Sequence, residues 1–174
     1  DRLGGLFAYS SLHVRRNDLQ YKGSFVAADA TAANVAPLLR RNESVYVATD
    51  ETAAAFFAPL EAQRNVMRWR DVVSAMDASG ALAEAGPKAN GLIEQLVCAG
   101  GRVFFGTHSS TFTAYIQRLR GYVGAPDLGL YYHDTAASVA DGQRMLRAPL
   151  STSFMREFPL TWESVSRRTR RSTE

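Results

Sequence analysis

The run Thr107-His108-Ser109-Ser110-Thr111-Phe112-Thr113 brings five hydroxyls and an imidazole into seven residues. It follows a short apolar stretch, Arg102-Val103-Phe104-Phe105, which Gly106 closes, and it opens a segment of helical periodicity. The pattern reads as a strand, a turn and a helix N-terminus. Such a junction offers backbone N–H groups without intrahelical acceptors, the positive end of a helix dipole, and hydroxyl donors, a combination suited to an anion and above all to phosphate. Ser and Thr are also the ordinary N-caps, so on the turn alone Ser109, Ser110 and Thr111 fit a plain capped helix as well.

Charge gathers where two other apolar runs stop. His13, Arg15 and Arg16 end Leu-Phe-Ala-Tyr-Ser-Ser-Leu-His-Val at residues 6–14, and Asp50 and Glu51 follow Ser-Val-Tyr-Val-Ala at residues 44–48. Open α/β sheets bind their ligands outside the carboxyl ends of the strands. A guanidinium and a helix N-terminus converging on one such rim would hold a pyrophosphate, the arginine forking onto its oxygens. The chain has no G-x-x-x-x-G-K-S/T loop and no G-x-G-x-x-G after a strand, which argues against P-loop phosphoryl transfer and against the dinucleotide fingerprint. Asp50 and Glu51 are adjacent at a helix start and do not face each other as a glycosidase pair would. Taken singly, His13 reads as a satisfied strand-end histidine, Thr49 or Asp50 as a helix cap, and Arg118 and Arg120 as a solvated helix face.

Strands and helices must alternate to carry these groups. Residues 6–14, 44–48, 65–69 and 102–105 read as strands. Residues 31–41 carry Val35, Leu38 and Leu39 at helical spacing, with Pro37 pushing the helix start toward Ala36. An Ala-rich helix follows over residues 52–63, and residues 72–76 read as a helical turn or loop. Pro87 suits the first turn of a further helix with Leu92, Ile93, Leu96 and Val97 as its stripe, ended by Gly100-Gly101. Residues 110–120 form the last clear helix, with Phe112, Tyr115, Ile116 and Leu119 on its apolar side. The alternation predicts an α/β fold, a mostly parallel sheet covered by helices.

The 174 residues, 46% hydrophobic and 21% charged, are enough for one sizeable core. The pattern loosens after Gly121, with a short helix read around residues 136–145 and Phe158 and Trp162 free to pack back on the core. This divides the chain into a domain at residues 1–135 and an extension at 136–174. The net charge of +3 owes much to Arg167, Arg168, Arg170 and Arg171, a solvated tail without the interleaved aromatics of a nucleic-acid site. The start at Asp1, with no leader and no apolar run long enough to span a membrane, reads as a segment of a longer protein. The single cysteine, Cys98, has no partner for an internal disulfide and sits in an apolar stretch as a small core residue. Asn42-Glu43-Ser44 matches a glycosylation sequon.

Four motifs in order carry a resemblance: His13-Val14-Arg15-Arg16-Asn17-Asp18, Val47-Ala48-Thr49-Asp50-Glu51, Ile93-Glu94-Gln95-Leu96-Val97-Cys98, and the long Phe105-to-Tyr122 run around Ser110-Thr111-Phe112. Together they resemble the GDP-fucose protein O-fucosyltransferase family, especially its plant and algal members, over residues 13–122.

The resemblance implies one half of a GT-B glycosyltransferase: a Rossmann-like, mostly parallel sheet with helices on both faces, here the C-terminal, donor-binding half. It implies inverting, metal-independent transfer of fucose from GDP-fucose to a hydroxyl of a protein or polysaccharide acceptor, with no cofactor. Arg15 matches the family's H-x-R arginine, which holds the pyrophosphate and stabilises the departing GDP, and His13 matches the histidine near the ribose. Ser110, Thr111 and Phe112 match the segment at the phosphates and nucleotide. Glu94 falls where many relatives carry Asp near the guanine. The other, N-terminal half would supply the remaining nucleotide and acceptor contacts, and the family's setting is the lumen of the endoplasmic reticulum or Golgi. A rhamnosyltransferase using UDP-rhamnose and a non-catalytic nucleotide-sugar-binding protein share the same pattern. Nucleic acid is not among the implied partners.

Overall fold

The computed structural model describes residues 3–20, 22–77, 89–108, 110–125 and 130–133. Five strands form one sheet: β1 (Ser10–Val14), β2 (Val45–Thr49), β3 (Val66–Arg68), β4 (Phe104–Gly106) and β5 (Leu130–Tyr131). Their order is β3-β2-β1-β4-β5, and every pairing is parallel, with Leu12 opposite Val47 on one side and Phe105 on the other. The helices are α1 (Ala28–Val35), α2 (Ala58–Glu61), α3 (Trp69–Asp77), α4 (Asn90–Ala99) and α5 (Thr111–Arg120). The mostly parallel α/β sheet expected from the alternation is therefore present.

Helices cover both faces, as parallel strands require. The period of two along β2 shows how: Val45 and Val47 pack with Leu12, Val14 and Phe105 against Ala32 and Val35 of α1 and Leu60 of α2. The alternate residues Tyr46 and Ala48 pack with Tyr9 and Phe104 against Cys98 and Ala99 of α4 and Ile116 of α5. Each fully buried aliphatic side chain of this kind contributes roughly 1.5–3 kcal/mol relative to an exposed one. Cys98 is a buried free thiol, as expected, and burial raises its pKa well above the usual thiol value.

Several element boundaries differ from those read off the sequence. β1 begins at Ser10 rather than Leu6, because the chain first turns through Gly4, Gly5 and Phe7, all at positive φ. Leu6 is left 63% exposed. The first helix precedes Pro37: α1 ends at Val35, and Pro37 sits at the start of a 3-10 turn, Ala36–Leu38. The Ala-rich segment is a 3-10 turn, Ala54–Phe57, leading into the single turn of α2, and neither Thr49 nor Asp50 caps it. Trp69 starts α3 instead of ending β3. On α4, Leu92 and Leu96 are exposed, while Cys98 and Ala99 are buried; on α5, Tyr115 is exposed and Ile116 buried. Gly100 ends α4 with φ −76°, an ordinary right-handed value. The glycine pair is needed for space: a Cβ on Gly100 would lie 2.8 Å from the Tyr9 hydroxyl, and one on Gly101 3.0 Å from the Ser11 backbone nitrogen.

Arg120 reverses its expected exposure most completely. It is 1% exposed. Its guanidinium donates to the carbonyls of Ala99 (3.2 Å), the last residue of α4, and of Gly101 (2.5 Å) and Arg102 (3.2 Å) just beyond it. Asn42, the sequon asparagine, is exposed, whereas Glu43 is buried and takes a fork from Arg102 at 2.7 and 2.6 Å. Ser109, Pro87, the helix at 136–145, Phe158, Trp162, the basic tail and the division at residue 135 lie outside the described residues.

Candidate functional site

The strand order reverses direction between β1 and β4, so the connections leaving these two strands diverge to opposite sides of the sheet. Such a switch point opens a crevice at the carboxyl ends of the strands, which is where ligands of open α/β sheets sit. His13, Arg15 and the turn from Thr107 onward are placed there by chain order alone.

A hydroxyl clamp joins the two strand ends. The Thr107 hydroxyl donates to the His13 carbonyl at 2.8 Å and accepts the Arg15 N–H at 2.9 Å. The Thr113 hydroxyl accepts the Thr107 N–H at 2.9 Å and lies 2.8 Å from His13 Nδ1. Both threonines are buried. Gly106 makes this approach possible, because a Cβ there would fall on the Thr113 side chain. Gly106→Ala is therefore expected to push α5 off β4 and destabilise the fold by about 1–3 kcal/mol, read as a lower midpoint in denaturant titration.

Arg15 leaves this clamp with its guanidinium partly exposed, forked onto Asp18 through Nε and a terminal nitrogen, both at 2.7 Å. The fork holds the Asp18 carboxyl well below the usual carboxylate range. Arg16 goes elsewhere. It donates to the Val26 carbonyl at 3.0 Å, lies against Glu51, and is stacked over Phe56 at 4.4 Å and Phe25 at 5.0 Å. Asp50, read as a helix cap, instead accepts the N–H groups of Arg16 at 2.7 Å and Asn17 at 3.1 Å. It shapes the loop that carries Arg15. The two acidic neighbours thus serve separate structural roles, and no glycosidase pair is formed.

His13 is 5% exposed, on the face of β1 that meets α5, with the Phe112 ring stacked at 4.6 Å and 29°. Burial first, then the neighbouring Arg15, lowers its pKa to about 3, against a smaller opposing effect of Asp18, so the ring is neutral at physiological pH. Glu94, on α4, accepts a hydrogen bond from the Tyr46 hydroxyl at 3.2 Å. Burial raises its carboxyl pKa, and the tyrosine bond partly opposes that rise.

His13, Arg15, Glu94 and Phe112 meet in one cleft of about 250 Å³, floored by Ala48 and Thr49 and flanked by Asp18 and Asp50. Ser110 and Thr111 do not line it. Ser110 is buried as the N-cap of α5, its hydroxyl accepting the Thr113 N–H at 3.5 Å, and Thr111 is exposed at the first helical position. The backbone N–H groups of this first turn have no intrahelical acceptor, by the geometry of any helix. A second cleft of about 310 Å³ adjoins the first, sharing Thr49 and Glu94 and reaching Trp69. The sequence marks the Thr107–Thr113 run as an anion cradle, and the structure adds a further role for its two end threonines, which tie β1 to β4 and α5. Their spacing of six, bracketing a strand-to-helix turn, is the signal that was available.

A guanidinium, a helix N-terminus and a half-buried carboxylate along one rim can receive a molecule with an anionic group at one end and N–H donors at the other. An all-parallel sheet with helices on both faces and a cleft at its switch point defines a Rossmann-like α/β domain. A family model described as GDP-fucose protein O-fucosyltransferase matches residues 7–123, and the chain belongs to this family of glycosyltransferases. No curated protein matches the chain. Among the described residues, no helix is long and apolar enough to cross a membrane, and no cluster of three or more His, Cys, Asp or Glu residues could hold a metal ion.

Proposed function

We propose that this chain is the donor-binding half of an inverting fucosyltransferase-like enzyme that takes fucose from GDP-fucose to a hydroxyl acceptor. The observation that carries the reading is the cleft in which Arg15, His13, Phe112 and Glu94 converge beside the N-terminus of α5. As the sugar–phosphate bond breaks, negative charge develops on the departing diphosphate. Arg15 supplies the cationic fork, and the first-turn amides of α5 supply fixed dipoles, so charge is met without a metal ion. Ser110 contributes by starting the helix, and Thr111 by its amide. Glu94 faces the base. Guanine presents two adjacent N–H donors to a carboxylate where uracil presents one, which favours GDP over UDP.

The acceptor, a protein or a polysaccharide, and the groups that activate its hydroxyl belong in this reading to an N-terminal half. The compartment is the lumen of the endoplasmic reticulum or Golgi. Neither a cofactor nor nucleic acid takes part. Calorimetric titration of the chain with GDP, UDP and ADP tests the reading, and saturable binding of GDP in preference to the other two is expected. Preference for UDP would reassign the donor to UDP-rhamnose. No binding by any of them would remove the basis for placing a nucleotide here.

A further inference from the structure

We propose that Thr113 is a positioning residue that fixes His13 in its neutral Nε2–H form, so that the ring offers the cleft an N–H donor rather than a base or a cation. The last clause rests on the cleft's being the nucleotide site; the tautomer itself does not.

Hydrogen-bond satisfaction decides the tautomer. The Thr113 oxygen has two neighbours among the described residues, the Thr107 N–H at 2.9 Å and His13 Nδ1 at 2.8 Å. A backbone N–H only donates, so it occupies a lone pair of the hydroxyl and cannot receive its proton. Thr113 is 5% exposed, and a buried hydroxyl proton left without an acceptor is costly. Among the described residues, His13 Nδ1 is the acceptor within reach of that proton. Were Nδ1 protonated instead, two donors would point at the threonine oxygen while its own proton had no acceptor among the described residues.

An accepting Nδ1 places the ring proton on Nε2, since the bond made by one ring nitrogen decides the state of the other. A doubly protonated ring meets the same conflict at Nδ1, and burial beside Arg15 disfavours it independently. The ring cannot easily rotate out of this arrangement. Phe112 stacks on its face, and the His13 carbonyl is tied to the Thr107 hydroxyl. With Nδ1 engaged toward α5, Nε2 is the polar atom that His13, a lining residue, brings to the cleft. An oxygen acceptor is the chemistry it suits, from either the diphosphate or the ribose.

Nitrogen-detected NMR on the chain with labelled histidine reads the tautomer directly and without nucleotide. The expected result is a protonated Nε2 and an unprotonated Nδ1 at His13, unchanged over roughly pH 5 to 8. The charged groups facing the ring are Arg15, Asp18 and Asp50 from the loops and Glu94 from α4. Arg15 stays cationic and its fork keeps Asp18 ionised over that span, while burial raises the Glu94 carboxyl, so Glu94 is the neighbour whose charge the span tests. A protonated Nδ1, or a doubly protonated ring at neutral pH, would overturn the proposal. Thr113→Val keeps the shape and removes the hydroxyl; it should mix the tautomers and weaken GDP binding about tenfold. Thr113→Ser keeps the hydroxyl and should restore both. A residue that mattered only for packing would show the reverse order, tolerating Val better than Ser, and that order would also overturn the proposal. Adding inorganic pyrophosphate or guanosine separately identifies the acceptor, by which of them moves the Nε2 resonance; if neither does, the donor role falls while the tautomer stands. Because the tautomer is read on the free protein, absence of GDP binding would count against the nucleotide reading alone.

Discussion

On the proposed reading, Arg15→Ala is expected to reduce transfer from the nucleotide sugar about 10²- to 10³-fold and to leave the fold of this chain intact. The magnitude is that of removing one preorganised donor from a site where charge develops in the transition state. The guanidinium sits at the carboxyl end of β1, its backbone N–H held by Thr107 and its side chain partly exposed toward the cleft. Among the described residues nothing else lining that cleft is cationic: His13 is held neutral, and Arg16 is committed to Glu51 and to two aromatic faces. Loss of Arg15 therefore leaves the helix N-terminus as the remaining source of positive potential. The fork onto Asp18 shows the geometry at work, since two parallel N–H bonds at 2.7 Å to a carboxylate are the same pattern a phosphate would accept. A bound diphosphate must share or displace that carboxylate. Arg15→Lys keeps the charge but not the fork, and should fall between wild type and Arg15→Ala. The fold should be insensitive because an exposed pair three residues apart contributes little. Rates from a radiolabelled donor assay, paired with melting curves, check both halves: an unchanged rate, or a large drop in melting temperature, would contradict this role.

How much of this could be read in advance depended on whether the deciding contact was local. The Val-Tyr-Val-Ala run of β2 announces a strand covered on both faces, and the Ser-Thr-Phe turn announces a strand entering a helix; both are properties of a few neighbouring residues. Phe7 at φ 62° was not legible, because its conformation is set with help from a bond to the Gly100 carbonyl, far along the chain. Asp50 has the composition of a cap and becomes instead the acceptor for a loop 34 residues earlier, since β1 and β2 end side by side. The same holds for the site. His13, Arg15, Glu94 and Phe112 could be named from motifs, but Thr107 and Thr113 act through a strand 94 and 100 residues away. Hydroxyls in a Ser/Thr-rich turn look alike until the partner strand is in place.

Arg120→Ala is expected to be among the most destabilising single substitutions in the chain, by about 3–5 kcal/mol, with a fall in melting temperature on the order of 10 °C. Two costs combine. Truncation empties a large buried side-chain volume between α4, α5 and the loop before β4. It also strands the carbonyls of Ala99, Gly101 and Arg102, which turn inward because Gly100 and Gly101 pass too close to Tyr9 and Ser11 to be solvated from that side. The guanidinium suits the place because a planar cation can reach three carbonyls and meets the negative end of the α4 dipole. Burial lowers its pKa to about 10, which still leaves it charged at neutral pH, so the protein bears the cost of a buried cation in return for closing this corner. Arg120→Lys tests the account. One ammonium cannot span the same three carbonyls, so it should recover less than half of the lost stability. The corner lies directly before β4, whose end carries Thr107, so Arg120→Ala should also weaken GDP binding in proportion to the unfolded fraction, and at low temperature, where the variant remains folded, binding should return. A variant that melts like the wild type would show that the three carbonyls find other partners and that Arg120 is dispensable to the fold.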